Sequence, residues 1–334
     1  MAPHRPKDMA RPQIIVIGGS AGSLDTFRAI AQAVPAGFPG TVFAVAHIGQ
    51  SRSFLPELLG NSGKLSASHP RDKEPIRSGH IYIAPPDRHL LVEGGKVCLS
   101  RGPREHFTRP AIDPLFRSAA KSCGPRVIGV VLSGGGSDGA SGLDAIQQAG
   151  GIAVVESPSD AAFPDMPRAA ASICKPDYLV RATEIPALLV RLCEEAISGR
   201  AARASKGPPV GTEMETLERP TAFSCPECGG ALRPISSVAL KQYGCHIGHR
   251  FGMTELVESQ SEGVEKGINV AVRMLNEQAE FARQMIESAH DAPLDNGLFY
   301  WERLQVQAEE QIEALRRFLD QRPVIGVMPE AADG

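Results

Sequence analysis

Three residues, each at the end of an apolar run, have the types needed to hydrolyse an ester. Ile14 to Ile17 runs into Gly18-Gly19-Ser20-Ala21-Gly22, a match to G-x-S-x-G, whose small residues let a sharply bent backbone present a serine hydroxyl. Thr41 to Ala46 runs into His47, and Arg126 to Leu132 runs into Ser133-Gly134-Gly135-Gly136-Ser137-Asp138-Gly139. A serine hydroxyl is a weak nucleophile until a base takes its proton. Imidazole is the base whose pKa lies near working pH, and a carboxylate fixes its tautomer and stabilises the imidazolium. Singly, Ser20 and Asp138 read equally well as helix caps and His47 as a hydrogen-bonded structural histidine; it is their joint placement that points to chemistry. Both glycine turns precede a helix, so their backbone N–H groups are candidates to hold an oxyanion.

A second group has metal-ligand spacing. Cys225-Pro226-Glu227-Cys228 and Cys245-His246-Ile247-Gly248-His249 offer three thiolates and an imidazole, a closed tetrahedral Cys3His set for structural zinc. His249 is preferred to His246 because the three-residue gap from Cys245 leaves room for both ligands. With all four positions filled by protein, no site remains for an activated water, so no catalytic cofactor is expected. So short a segment buries little core, and metal would explain how it folds. The competing reading is a set of reduced cysteines in an unliganded loop. Cys98, Cys123, Cys174 and Cys193 sit singly in apolar segments and read as buried small hydrophobes.

The elements that must position the first group follow from periodicity. Gln13 to Ile17, Thr41 to Ala46, His80 to Ala84, Arg126 to Leu132, Ile152 to Val155 and Asp177 to Val180 are short and mostly apolar throughout, as parallel strands covered on both faces should be. Ser23 to Val34, Asp113 to Cys123, Gly139 to Ala149 and Met166 to Cys174 have helical spacing. The alternation predicts an α/β fold with a doubly wound, mostly parallel sheet, whose strands all end on one edge where Ser20, His47 and Asp138 can converge. His89 to Glu93 and Lys96 to Ser100, joined by Gly94-Gly95, are expected as a hairpin added to that sheet.

The organisation predicted is a disordered lead over 1–12, a catalytic domain over 13–197, a linker over 198–220, a zinc ribbon over 221–252, a helical hairpin over 253–320 and a tail over 321–334. In the hairpin, Val257, Val264, Ile268, Ala271, Leu275, Ala282 and Ile286 repeat at helical spacing, as do Trp301, Leu304, Ala308, Ile312, Leu315 and Leu319. Asp291, Pro293 and Gly297 divide the two runs, which predicts antiparallel helices sharing one apolar seam.

Composition removes other classes. The 334 residues carry 35 Lys+Arg against 38 Asp+Glu, a net charge of −3, with one Trp, four Tyr and twelve Phe; neither the basic footprint nor the stacking aromatics of a nucleic-acid binder is present. No run is long enough to be a signal peptide or to span a membrane, so a cytoplasmic chain is expected. Dinucleotide binding fits poorly, because Ser20 stands where G-x-G-x-x-G needs glycine and the second strand ends in His47 rather than an acid. The Ser133 to Gly139 loop lacks the Gly-Lys-Ser/Thr ending of a P-loop.

In order, Gly-Gly-Ser-Ala-Gly, strand-His47, IAPPDRHLLV (83–92), HFTRPAID (106–113), LSGGGSDGASG (132–142) and DMPRAA (165–170) resemble the catalytic domain of the CheB family, the chemoreceptor glutamate methylesterases. The resemblance covers residues 13–195 and implies Ser20 as nucleophile, His47 as base and Asp138 as orienting acid. It implies hydrolysis of glutamyl γ-methyl esters on methylated chemoreceptor-like helices, with release of methanol. Ala21 and Gly135 stand where the family usually has Thr and Met. The receiver domain that controls typical members does not precede the motif here, so regulation is expected to differ. The cysteine segment is similar to a CPECGG…CxxGH extension on receiver-less relatives, and the hairpin is a candidate for docking a signalling partner. Two alternatives remain: a deamidase or small-ester hydrolase using the same residues, and a non-catalytic signalling adaptor.

Overall fold

The computed structural model describes residues 13–47, 53–197, 221–235, 241–290 and 298–321. The expected lead, the linker and nearly all of the tail lie outside these residues, as does the division at 291–297 between the two long helices.

The centre is a seven-stranded sheet of β1 (Ile14–Gly19), β2 (Thr41–Ala46), β3 (Ser66–Ser68), β4 (His80–Ile83), β7 (Val127–Val131), β8 (Ile152–Glu156) and β9 (Tyr178–Val180), in the order β3-β4-β2-β1-β7-β8-β9. Every pairing is parallel, so all strands end on one edge. The chain builds outward from β1 through β2 to one side and through β7 to the other, which puts the topological switch point between β1 and β7.

Both faces are covered, which is why the strands read as continuous apolar runs. Ile15 and Ile17 of β1 join a core with α1 (Leu24–Ala33), α2 (Leu55–Ser62) and α6 (Ile185–Ile197), while Ile14 and Val16 join the opposite core with α3 (Ile112–Cys123), α4 (Ala140–Gln148) and α5 (Asp165–Ile173). The period-two alternation of a strand sends successive side chains to opposite faces, and here both faces are interior.

The hairpin β5 (His89–Glu93) and β6 (Lys96–Ser100) departs from expectation: it is a separate two-stranded sheet and not an extension of the main one. Its free edge is satisfied by α3 instead, because Ser118 Oγ accepts the Val92 N–H at 3.0 Å and Ser122 Oγ donates to the Val92 carbonyl at 2.6 Å. Leu90, Val92 and Val97 are then buried with Leu115, Phe116 and Ala119, so the hairpin caps a helix and leaves the sheet edge alone.

Residues 221–252 form a small antiparallel sheet of β10 (Leu232–Ile235), β11 (Gln242–Cys245) and β12 (Arg250–Gly252). It belongs to the same compact unit as the parallel sheet; a second unit begins at Glu255. That second unit holds all but the first two residues of α7 (Met253–His290), and α8 (Leu298–Asp320). Ala279, Ala282, Ala308 and Ile312 are buried in it, and Phe281 meets Trp301 edge-on at 5.6 Å. The seam is shorter than the sequence pattern implies, since Val257 and Val264 are exposed. At about 1.5 Å per residue, the 23 residues of α8 are too short to cover the 38 of α7.

Candidate active site

The β1–α1 turn fixes Ser20. Its N–H donates to the Ser133 carbonyl at 2.9 Å, and its carbonyl accepts from the Ser23 hydroxyl at 2.6 Å and the Ser23 N–H at 3.2 Å. Gly22 completes the bend in the left-handed region at φ +79°, where a side chain is strained. The N-cap position of α1 is held by Ser23 and not by Ser20, so the cap reading of Ser20 falls away and its hydroxyl is left half-buried at the sheet edge. Across from it, a side chain on Gly134 would put its Cβ 2.8 Å from that of Ser20; only glycine lets the β7 loop approach the serine so closely.

His47 follows β2. Its N–H donates to the Gly19 carbonyl at 3.1 Å, extending the register in which Gly19 pairs with Ala46. Ser20 and His47 therefore leave adjacent strands at the same level. The imidazole Nε2 lies 2.9 Å from Asp138 Oδ2 and 3.4 Å from Thr108 Oγ1. Nε2 therefore faces the carboxylate.

Asp138 is buried, its side chain 2% exposed. It precedes Gly139, which holds the N-cap position of α4, and its carboxylate serves a different helix: Oδ2 accepts the Ile112 N–H at 2.7 Å and Oδ1 the Asp113 N–H at 2.9 Å. These are the first two N–H groups of α3, where the helix dipole favours an anion. Burial alone would raise the Asp138 pKa; the charge of His106, the hydrogen bond and charge of His47 and the Ile112 N–H outweigh it and hold the group well below the ordinary carboxylate range. The charged form of Asp138 is thus the one favoured beside His47.

A supporting layer was missed in the sequence. Asp113 returns the favour to α4, accepting the Gly142 N–H at 2.7 Å, and lies 3.1 Å from His106 Nε2. The reciprocal bonds lock α3 and α4 together beneath the site. On the other side, the Gly134 N–H donates to the Phe163 carbonyl and the Met166 N–H to the Gly134 carbonyl, both at 2.9 Å, and the Ser133 N–H donates to Glu156 Oε2 at 2.9 Å. The signal was present in HFTRPAID, but which of its residues touch the site depends on contacts that spacing does not encode.

The metal-ligand set also comes together. Sγ of Cys228 and Cys245 are 3.7 Å apart, and His249 Nδ1 is 3.6 Å from Cys225 Sγ and 3.5 Å from Cys245 Sγ. A tetrahedron with Zn–S of about 2.3 Å and Zn–N of about 2.0–2.1 Å has edges of about 3.8 Å and 3.6 Å, which these three separations match, and all four ligand atoms lie within 4.8 Å of one another. Burial would raise the Cys245 pKa, but the backbone N–H groups of His249, Ile247 and Gly248 aimed at its sulfur bring it below the usual thiol value. Burial pushes the Cys225 thiol up to about 12, and a coordinated cation reverses that preference. His246 takes no part: its ring packs where a Gly230 side chain would stand.

A serine and a histidine–carboxylate pair at the switch point of a parallel sheet define a hydrolase-type site. The family model for the CheB methylesterase matches residues 15–189, and the chain belongs to that family. It is 37% identical over 190 residues to a putative protein-glutamate methylesterase/protein-glutamine glutaminase of Leptospira interrogans, an alignment covering 56% of this chain and 98% of that protein. It is 36% identical over 188 residues to protein-glutamate methylesterase/protein-glutamine glutaminase 2 of Anaeromyxobacter dehalogenans, of which 55% is covered. The crystal structure of the Thermotoga maritima CheB methylesterase catalytic domain is similar over 54% of this chain and 98% of its own length, at 30% identity and a TM-score of 0.52.

Proposed function

We propose that the chain hydrolyses γ-methyl esters of glutamyl side chains on chemoreceptor-like helices, with Ser20 as nucleophile, His47 as base and Asp138 as the acid that orients it. The observation that carries this reading is the 2.9 Å bond between His47 Nε2 and Asp138 Oδ2, at the end of the strand adjoining the one that leads into Ser20. Ser20 Oγ attacks the ester carbonyl as its proton passes to His47 Nδ1. The oxyanion that forms is held by backbone N–H groups of the Ala21 and Gly135 turns, the residue after the nucleophile being the usual donor. The tetrahedral carbon then expels methoxide, which takes the proton from His47 and leaves as methanol. Water, deprotonated by the same imidazole, cleaves the acyl-serine and frees the glutamate carboxylate. The same steps on a glutamine side chain would release ammonia, an activity that the relatives' names also carry.

In this reading no cofactor takes part in catalysis, and Cys225, Cys228, Cys245 and His249 hold one structural zinc that folds the ribbon. The required thiolates, with seven cysteines free of disulfides, suit the reducing cytoplasm. Among the described residues no helix is long and apolar enough to cross a membrane. The helical unit, with Val270, Met274, Phe299, Tyr300 and Val306 exposed, is read as a docking element for a signalling partner.

The test is active-site labelling. A fluorophosphonate should modify Ser20 and no other serine, and His47→Ala should abolish labelling; labelling elsewhere, or unchanged in Ser20→Ala, would refute the assignment.

A further inference from the structure

The segment 103–109 lies between the ribbon and the candidate active site, and it is held from the ribbon's side. The His106 N–H donates to the Arg250 carbonyl at 2.8 Å, the Arg250 N–H to the Arg104 carbonyl at 3.4 Å, and Glu105 bridges Arg250 as one rung of a parallel pair. Phe107 packs on the wholly buried Phe251 at a ring separation of 4.6 Å. Arg104 is 3.6 Å from Glu227, and Gln242 Nε2 donates to Asp113 Oδ2 at 3.4 Å. Each ribbon residue named here is close in sequence to a zinc ligand: Glu227 lies between Cys225 and Cys228, Gln242 begins the strand that ends in Cys245, and Arg250 and Phe251 follow His249.

The turn so held is strained. His106 and Phe107 are consecutive non-glycine residues in the left-handed region, at φ +51° and +59°, a conformation that persists only where the surroundings impose it. One residue further on, Thr108 closes the turn with its N–H on the Glu105 carbonyl at 2.9 Å and sets its hydroxyl 3.4 Å from His47 Nε2.

We propose that the ribbon is a clamp on the catalytic centre: Arg250 and Phe251 hold the 105–108 turn in its strained form, so that Thr108 fixes the His47 ring, and zinc occupancy thereby sets turnover. Arg250, Phe251 and Thr108 are positioning residues in this account, and the ribbon is a control element in place of a passive appendage. The proposal rests on the triad and zinc readings above.

The experiment uses the full chain, with p-nitrophenyl acetate as a small ester that needs no docking. Zinc content, amide exchange over residues 104–109, the α/β melting transition, kcat and KM are measured for the zinc-loaded protein, the chelator-stripped protein, Phe251→Ala and Phe251→Leu. Stripping and Phe251→Ala should each speed exchange over 104–109 and lower kcat about ten- to a hundredfold, as a small misplacement of a base does, with KM and the melting transition little changed. Re-addition of zinc should restore the stripped protein, and Phe251→Leu should recover most of the loss. Faster exchange with kcat unaltered, or a ribbon released with 104–109 still protected, overturns the clamp. Failure of Ser20 to label in the loaded protein indicts the triad instead. Absence of zinc indicts the metal reading, and Phe251→Ala then still decides the clamp.

Discussion

Beneath the parallel sheet, Val16, Phe43, Tyr82, Leu115 and Phe116 are all wholly buried in a single core, and a second core of similar size lies on the other face. The ribbon has Leu232, Ile235, Tyr243 and Phe251. The first region excludes enough apolar surface to order itself, whereas the second buries far less and, in the proposed reading, draws on metal bonds. The difference extends to the proposed catalytic groups: Ser20 and His47 are anchored by the backbone of the parallel sheet, yet Thr108, against His47, sits in a turn anchored through the ribbon. Under the clamp proposal, a rigid site would in this way carry a conditional part.

The comparison is broken most sharply at the metal. Structural zinc supplies on the order of 10 kcal/mol to domains of this kind, so Cys228→Ser should abolish stoichiometric zinc binding and the ribbon's amide protection while the α/β melting transition survives. Loss of both together would mean that the two regions fold as one. A change in the large core should do the reverse. Phe116→Ala, at a wholly buried ring, should cost about 3–5 kcal/mol, seen as a lower denaturation midpoint for the α/β domain with zinc still bound; a loss under about 1 kcal/mol would show that the core is looser than its packing.

The smallest expected effect concerns acid. Asp138 has a folded-state pKa below its unfolded value, so its contribution to stability is complete above the unfolded value of about 3.9 and is lost as pH falls from there toward the folded value. Urea midpoints of the wild type should therefore fall below about pH 4 more steeply than those of Asp138→Asn. Parallel curves would mean that the carboxylate gains nothing from His47, His106 and the start of α3.

Much of the sheet was legible because burial on both faces leaves an unbroken apolar run: β2 spans Thr41–Ala46 as read, and β1, β7 and β8 differ by a residue or two at their ends. β3 was not legible. Ser66-Ala67-Ser68 is polar, and its hydroxyls are spent on the two ring nitrogens of His80, at 2.7 and 2.8 Å, a pairing visible only in three dimensions. The hairpin β5–β6 was found but misplaced, since nothing in its sequence tells whether its free edge meets a strand or Ser118 and Ser122 of a helix. The candidate site divides in the same way. Ser20, His47 and Asp138 could be read because parallel topology sends every strand end to one edge. His106, Thr108 and Asp113 could not, because each acts through a partner fixed by tertiary packing, including a ribbon residue more than a hundred positions away.

The central claim is that this chain removes methyl groups from protein glutamyl esters through Ser20. It is tested most directly by incubating the zinc-loaded full chain, and its Ser20→Ala variant, with methyl-esterified chemoreceptor helices and measuring methanol. The account predicts steady release by the wild type and a loss of about a thousandfold or more in the variant; equal release from both, or none from a wild type whose Ser20 labels normally, would contradict it.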